Sequence, residues 1–117
     1  MKLSEKQFIF TRNVAKLIEY IFESGYYCTL GEAYRSKEQA AIYEKLKKGT
    51  ANSLHCDRLA IDLNLFSPEG EYLTATEEYQ KFGTYWKNLN PANRWGGDFL
   101  QRKDGNHFSL TDDGVRA

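Results

Sequence analysis

The two histidines of this 117-residue chain constrain its fold more than any other feature, because each lies near an aspartate. His55 is followed by Asp62, and Asp104 is followed by His107. A domain that needed histidine only for packing would have no reason to place it in this way. We therefore expect the fold to bring both segments around one cation, with His55, Asp62 and His107 as its ligands and Asp104 beside it.

The first segment leads into a strand. Apolar residues alternate with small or polar ones over residues 59–66, which is the pattern of a strand with one face in the core. Asp62 is then expected on the face away from the leucines, beside the small Ala60. Because His55 lies an odd number of residues before Asp62, a bend over residues 56–58 is needed to bring both side chains together.

The second segment predicts a tight turn. Asp104-Gly105-Asn106-His107 combines residue types that favour turns, and Gly105 and Asn106 tolerate a positive φ. The ends of such a turn lie within ~7 Å of each other. Asp104 and His107 should therefore be neighbours at the start of a strand over residues 107–110.

Two imidazoles and one carboxylate form a ligand set of catalytic zinc, which keeps a fourth position for water. Zinc lowers the pKa of water to ~7, and a nearby carboxylate can move the proton to a leaving amine. Asp104 is the candidate for this role. Asp98 is its rival, but only Asp104 is tethered to His107 by the turn. Taken singly, these residues are typical of turns and polar surfaces; their combination favours a metal site.

Four further residues are candidates for the cleft. Arg35 would end a strand over residues 26–35 and could bind a carboxylate or an oxyanion, although an ion pair with a nearby glutamate is an equal alternative. Ser53 could contact substrate or bond local backbone. Gln39 could support the site, although helix capping already explains it. Trp95 could wall the cleft.

Apolar periodicity and capping boxes predict three helices around this sheet. The boxes are Ser4-x-x-Gln7, Ser36-x-x-Gln39 and Thr74-x-x-Glu77. The first helix should end at Gly25, the second at about Lys48, and the third, with its aromatic stripe, before Asn90-Pro91. The predicted fold class is α+β: a small antiparallel sheet that carries the metal, with about three helices packed around it.

Composition excludes several classes of protein. The formal net charge is zero, so there is no basic excess for binding nucleic acid, and no apolar run is long enough for membrane insertion. Two cysteines do not make a disulfide framework. We expect a single domain over residues 1–117 with a polar tail from about 111 to 117. The amphipathic beginning is not a signal peptide, so we expect synthesis in a cytoplasm.

These motifs resemble those of the zinc peptidoglycan peptidases, which include D-alanyl-D-alanine carboxypeptidases and phage L-alanyl-D-glutamate endolysins. The resemblance covers about residues 30–110 and rests on Ser53-x-His55, Ala60-x-Asp62, Asp104-x-x-His107-Phe108 and Tyr34-Arg35-Ser36 with Gln39. It implies Zn²⁺ as the cofactor, Asp104 as the acid/base and Arg35 as a substrate-binding residue. Many members have glycine where Arg58 stands.

The resemblance also implies a fold and a substrate. The fold would be of the hedgehog/DD-peptidase type, and the substrate a stem peptide of bacterial peptidoglycan. The expected bond is L-alanyl-D-glutamate, with D-Ala-D-Ala carboxypeptidase activity as the alternative. A module of another class, which binds the cell wall or builds a phage particle without catalysis, is a further alternative. A compact domain of this kind fits a monomeric phage endolysin that needs a separate holin to reach the wall.

Overall fold

The computed structural model describes residues 1–47 and 53–111. Within these ranges the chain forms three α-helices: α1 (Leu3–Glu23), α2 (Lys37–Lys45) and α3 (Gln80–Leu89). Short 3₁₀ turns lie at Leu54–Asp57, Thr76–Tyr79 and Gly96–Asp98. The number and positions of the helices confirm the helical part of the prediction.

The strands form one antiparallel sheet. They are β1 (Tyr27–Leu30), β2 (Ala60–Phe66), β3 (Asn93–Trp95) and β4 (His107–Leu110), and their order in space is β1-β2-β4-β3. The α+β prediction is therefore confirmed. In the β2–β4 register Asp62 lies opposite His107, and residues directly opposite each other share a face of the sheet. The strands that were predicted from two distant segments are thus direct neighbours.

The core lies between one face of the sheet and the helices α1 and α3. Leu63 and Leu65 of β2 are buried on this face, whereas Asp62 and Asn64, which alternate with them, are only half-buried. The alternation in the sequence therefore predicted the correct faces. Trp86 fastens α3 to the sheet, since its indole N–H donates to the carbonyl oxygens of Arg94 and Ser109 at 3.0 Å each.

Two helix starts differ from the prediction. In α1 the backbone N–H of Lys2 donates to the Glu5 side chain at 2.8 Å, so the box that was predicted to begin at Ser4 is wrong. Before α3 the N–H of Ala75 donates to the Glu78 side chain at 3.1 Å, one residue after the predicted box. In both cases an acidic residue in the first turn satisfies a backbone donor that the helix leaves unpaired.

Two other predicted helix boundaries agree with the structure. The Ser36 hydroxyl accepts the backbone N–H of Gln39 at 3.0 Å and caps α2 as predicted. The first helix ends just before Gly25, which has a φ of 86°, a conformation that glycine adopts without steric cost. The predicted end of α2 at Lys48, and the polar tail after Thr111, lie outside the described residues.

The first strand is shorter than predicted, because it ends at Leu30 and not at residue 35. The N–H of Gly31 donates to the Asp62 carbonyl at 2.8 Å, and the N–H of Asp62 donates to the Glu32 carbonyl at 2.9 Å. Two successive residues thus face a single residue of β2, which is the arrangement of a β-bulge. The bulge ends the regular pairing next to Asp62, and α2 begins a few residues later.

Candidate metal centre

Three side chains converge on the face of the sheet that the core leaves open. His55, Asp62 and His107 each offer one ligand atom, and these atoms all lie within 4.8 Å of one another. Asp62 Oδ1 lies 3.3 Å from His55 Nε2 and 3.3 Å from His107 Nδ1. The two segments that the sequence singled out therefore meet, as predicted.

The two distances from Asp62 suit a shared cation, although they also admit long hydrogen bonds. A tetrahedral zinc ion with bonds of about 2.0–2.1 Å places its ligand atoms about 3.3–3.4 Å apart. A hydrogen bond from an imidazole nitrogen to a carboxylate is normally shorter, about 2.7–2.9 Å when charged. Here a single oxygen of Asp62 faces both rings at 3.3 Å. The donor set and the two distances from Asp62 therefore fit a zinc ion held by His55, Asp62 and His107, whose donor atoms all lie within 4.8 Å of one another.

The loop before β2 positions His55. The Ser53 hydroxyl accepts the backbone N–H of His55 at 3.1 Å and caps the 3₁₀ turn Leu54–Asp57. On the ring, Nδ1 lies 3.1 Å from the Ala33 carbonyl. A proton on Nδ1 would make this hydrogen bond and leave the Nε2 lone pair free for a metal, which is the usual outer-shell arrangement of a histidine ligand. His55 is 1% exposed, so this orientation is fixed by packing as well.

The predicted bend after His55 is confirmed, and Arg58 forms it. Arg58 has φ 57° and ψ 38°, in the left-handed region, and its N–H donates to the His55 carbonyl at 3.3 Å. Glycine adopts this conformation more readily than other residues, which accounts for the glycine that many members of the resembled superfamily have here. The guanidinium of Arg58 lies over the ring of Tyr34, 4.1 Å from its centroid.

A tight turn positions His107. Its N–H donates to the Asp104 carbonyl at 3.0 Å, so the predicted turn is confirmed. The positive φ expected at Gly105 or Asn106 is wrong, because neither residue has one. Gly105 is instead required by packing: an added Cβ would lie 2.9 Å from Thr76 Cα. Behind His107, Nε2 is buried without a hydrogen-bond partner among the described residues.

Two glycines leave room for the centre, and sequence reasoning missed the first of them, Gly31. A Cβ on Gly31 would lie 2.8 Å from the Asp62 carbonyl oxygen. A Cβ on Gly96 would lie 2.1 Å from the carbonyl oxygen of Asp104 and 2.9 Å from His107 Cβ. The double glycine in the sequence was a signal of close backbone approach, but only the fold shows which backbone approaches it.

The electrostatics of the cluster depend on Asp62. Burial alone would raise the pKa of Asp62, but hydrogen bonds from His107 and His55 outweigh it and lower the pKa to about 2. Burial would likewise lower the pKa of His55, yet its hydrogen bond to Asp62 and the negative charge there raise it. Asp62 is therefore ionised over the whole physiological range. A raised pKa at His55 means that protons compete with a metal at this residue.

Asp104 lies at the mouth of the cluster. Desolvation raises its pKa, the charge of His107 opposes this rise, and the carboxylate of Asp62 adds to it. The side chain is exposed, so it remains accessible to water and substrate. Its rival Asp98 forms a surface ion pair with Lys87 at 2.7 Å. The structure thus brings Asp104, and not Asp98, to the cluster of His55, Asp62 and His107.

Of the two alternatives for Arg35, the structure shows the ion pair with a nearby glutamate, and substrate binding stays a prediction. Arg35 forms this ion pair with Glu32, and its guanidinium lies over the ring of Tyr43, 4.8 Å from the centroid. Its backbone N–H donates to the His55 carbonyl at 3.2 Å. Arg35 therefore lies beside the metal ligands while it is paired with a glutamate.

The three remaining candidates, Ser53, Trp95 and Gln39, differ in burial and in hydrogen-bond partners. Ser53 is 2% exposed and bonds local backbone, which was the alternative to substrate contact. Trp95 is also 2% exposed and donates its indole N–H to the Gly105 carbonyl at 2.7 Å. It therefore lies beneath the turn and not in the wall of the cleft. Gln39 is half-buried in the first turn of α2.

Two further findings concern the cysteines and the helices. Both cysteines, Cys28 and Cys56, are free thiols. In the described ranges, no helix has the length and apolar character that crossing a membrane requires.

Two solved structures share the fold of this chain. The fold is similar to that of the L-Ala D-Glu endopeptidase ChiX of Serratia marcescens, with a TM-score of 0.64 and 22% identity over 76% of this chain and 71% of that one. It is also similar to the vancomycin-resistance D,D-pentapeptidase VanY of a VanB-type cassette, solved as a mutant with Zn(II). Here the TM-score is 0.57 and the identity 16%, over 86% of this chain and 70% of that one.

No curated protein matches the chain significantly. Its family follows instead from a match to a sequence profile. Residues 47–110, more than half of the chain, match the sequence profile of a family described as D-alanyl-D-alanine carboxypeptidase. This matched range contains His55, Asp62, Asp104 and His107. The chain therefore belongs to the D-alanyl-D-alanine carboxypeptidase family, within the superfamily of zinc peptidoglycan peptidases.

Proposed function

We propose that the protein is a zinc-dependent peptidase that hydrolyses a peptide bond in the stem of bacterial peptidoglycan, with L-alanyl-D-glutamate as the first choice of bond. The cluster of His55, Asp62 and His107, with Asp104 at its mouth, carries the proposal. Family membership supports the substrate class. The fold shared with an L-Ala D-Glu endopeptidase supports the choice of bond.

Each residue has a distinct role in the proposed reaction. A zinc ion at this site would supply Lewis-acid polarisation of the scissile carbonyl and a lowered pKa for water. Asp104 takes the proton of the attacking water and then delivers it to the departing amine, a task for which a raised carboxyl pKa is suited. Arg35 binds a substrate carboxylate or the developing oxyanion. Gln39 adds a polar contact from α2.

D-Ala-D-Ala carboxypeptidase activity is the second candidate, and the fold shared with a D,D-pentapeptidase favours it. A metal-binding module without catalysis is the candidate from another class. The exposed Asp104 beside the ligands counts against such a module, because metal binding alone does not need it. The phage source, the monomeric state and the dependence on a holin stay predictions.

Digestion of purified muropeptides distinguishes these candidates. The protein, with its zinc content measured, is incubated with muropeptides, and mass spectrometry identifies the new termini. We expect a new amino terminus at D-glutamate. Release of a terminal D-alanine would instead favour the carboxypeptidase. Zinc-loaded protein that cleaves neither bond would contradict both activities and favour the binding module.

The variant Asp104→Ala tests the proposed acid/base. Loss of general acid–base catalysis lowers rates by about 10²- to 10⁴-fold, and we expect a fall of this size in lysis of chloroform-permeabilised Gram-negative cells. Zinc content and thermal stability should remain close to those of the wild type. Asp98→Ala is the matched control, because Asp98 is paired with Lys87 at the surface. Equal lysis by Asp104→Ala and the wild type would remove Asp104 from the mechanism.

A further inference from the structure

The guanidinium of Arg35 is held by an acid from its own chain. Its Nε donates to Glu32 Oε1 at 2.8 Å, and its Nη2 donates to the same oxygen. The side chains of Arg35 and Glu32 are 10% and 26% exposed. The ring of Tyr43 lies against the guanidinium from α2. One edge of Arg35 is thus occupied by an internal carboxylate, while a separate helix holds its plane.

This pair lies at the metal centre. The backbone carbonyl of Glu32 accepts the N–H of the ligand Asp62 at 2.9 Å, and Arg35 donates its N–H to the carbonyl of the ligand His55 at 3.2 Å. The charge of Arg35 is also felt at Asp104, where desolvation raises the pKa and the guanidinium opposes the rise. A carboxylate bound to Arg35 would therefore lie beside the cleft.

We propose that Glu32 occupies the position of a substrate carboxylate and competes with it for Arg35. This inference rests on the proposed function and names the group that the site recognises. In both candidate bonds, the residue on the amine side of the scissile amide has a free α-carboxylate. When substrate binds, this α-carboxylate takes the Nε/Nη2 edge of Arg35 and Glu32 turns towards solvent.

The contacts explain why a substrate can displace Glu32. Both hydrogen bonds from Arg35 end on one oxygen of Glu32, whereas an untethered carboxylate can offer two oxygens to the planar fork of an arginine. Glu32 is partly exposed, so it can be hydrated when it leaves. Tyr43 keeps the guanidinium in place meanwhile. An uncharged carboxamide lacks the charge needed to win this competition, so the pair selects substrates with a free α-carboxylate.

The variant Glu32→Gln tests the competition in the zinc-loaded full chain. The substrates are N-acetyl-L-alanyl-D-glutamate γ-methylamide and N-acetyl-D-alanyl-D-alanine, each compared with its α-carboxamide. A partly exposed ion pair changes an equilibrium constant by a factor of about two to five. We therefore expect KM for the cleaved acid to fall by about two- to fivefold. KM for its carboxamide should not change. Glu32→Asp, whose shorter side chain falls short of Arg35, should act in the same direction.

The control is Glu38→Gln, which removes the same charge from an exposed position in the first turn of α2 and should leave both KM values unchanged. An unchanged KM for the acid in both Glu32 variants would overturn the proposal. Equal losses of kcat/KM for acid and carboxamide would also overturn it, because Glu32 would then only position Arg35. If the wild type cleaves neither acid, the proposed function fails. Calorimetry then tests the competition on its own: tighter binding of the acids by Glu32→Gln than by the wild type would support it, and equal affinity would overturn it.

Discussion

Substitution of Gly96 by alanine should displace the turn from Asp104 to His107 without changing a candidate ligand or the proposed acid/base. The added Cβ would lie 2.1 Å from the Asp104 carbonyl oxygen, and real Cβ contacts are essentially never below 3.0 Å, so the turn must move by about 0.9 Å. A misplacement of about 1 Å costs roughly 10²-fold in rate. We therefore expect kcat on a muropeptide to fall about 100-fold in Gly96→Ala. Overpacking should also lower the free energy of unfolding by about 1–3 kcal/mol.

The matched control for this variant is Gly70→Ala. Gly70 has a φ of 86°, and a Cβ there would meet nothing within 4 Å. The strain of a non-glycine residue in this conformation costs about 1 kcal/mol, so Gly70→Ala loses stability at a turn remote from the metal ligands and should keep its activity. Rates of both variants are measured below their melting temperatures. Gly96→Ala with kcat within threefold of the wild type would refute the inference that Gly96 sets the position of Asp104.

The remaining predictions concern pH and the bend. In metal-free protein, the pKa of Asp62 is lowered from 3.8 to about 2, so its contribution to stability should be lost as pH falls from about 4 to about 2. The pKa of His55 is raised above 6.5, so its contribution should be complete below pH 6.5 and lost as pH rises through the raised value. Bound zinc should remove the loss of stability that depends on His55. Melting temperatures measured across pH, with and without zinc, test both expectations, and identical pH profiles in the two conditions would contradict the expected effect of zinc. Arg58→Gly removes left-handed strain of about 1–2 kcal/mol but also the contact with Tyr34, worth about 0.5–1 kcal/mol, and adds glycine entropy of about 0.5–1 kcal/mol. Its free energy of unfolding should therefore stay within about 1 kcal/mol of the wild type in a denaturant titration, whereas a loss above 2 kcal/mol would show that the side chain has a larger role.

Much of the candidate site could be predicted because the signals are local. The alternation around Asp62 predicts which face it occupies, since strand side chains alternate with a period of two. The residues Asp104 to His107 predict a turn, since turn chemistry depends on a few adjacent residues. The bend before β2 follows from the odd spacing between His55 and Asp62. Each of these features needed only the neighbouring sequence.

The errors occurred where neighbouring sequence does not decide the conformation. The first strand ends at a bulge because Gly31 and Glu32 both face Asp62, a contact that no local pattern encodes. The two helix caps are an exception with a local cause: Glu5 and Glu78 accept the backbone N–H of Lys2 and of Ala75, one to two residues from the predicted caps. The sequence offers Trp95 as a wall of the cleft, yet the packing of β3 against α3 buries it beneath the turn.

The sequence alone determined the types of the candidate ligands, the turn that joins Asp104 to His107, and the open face on which Asp62 lies, because each depends on residues close together in the chain. Only the tertiary structure decided that Asp62 pairs directly with His107, that Gly96 leaves room for the turn, and that Glu32 occupies Arg35. These features depend on distances between segments that are far apart in the chain. Strand register and backbone packing set such distances, and both are properties of the whole fold.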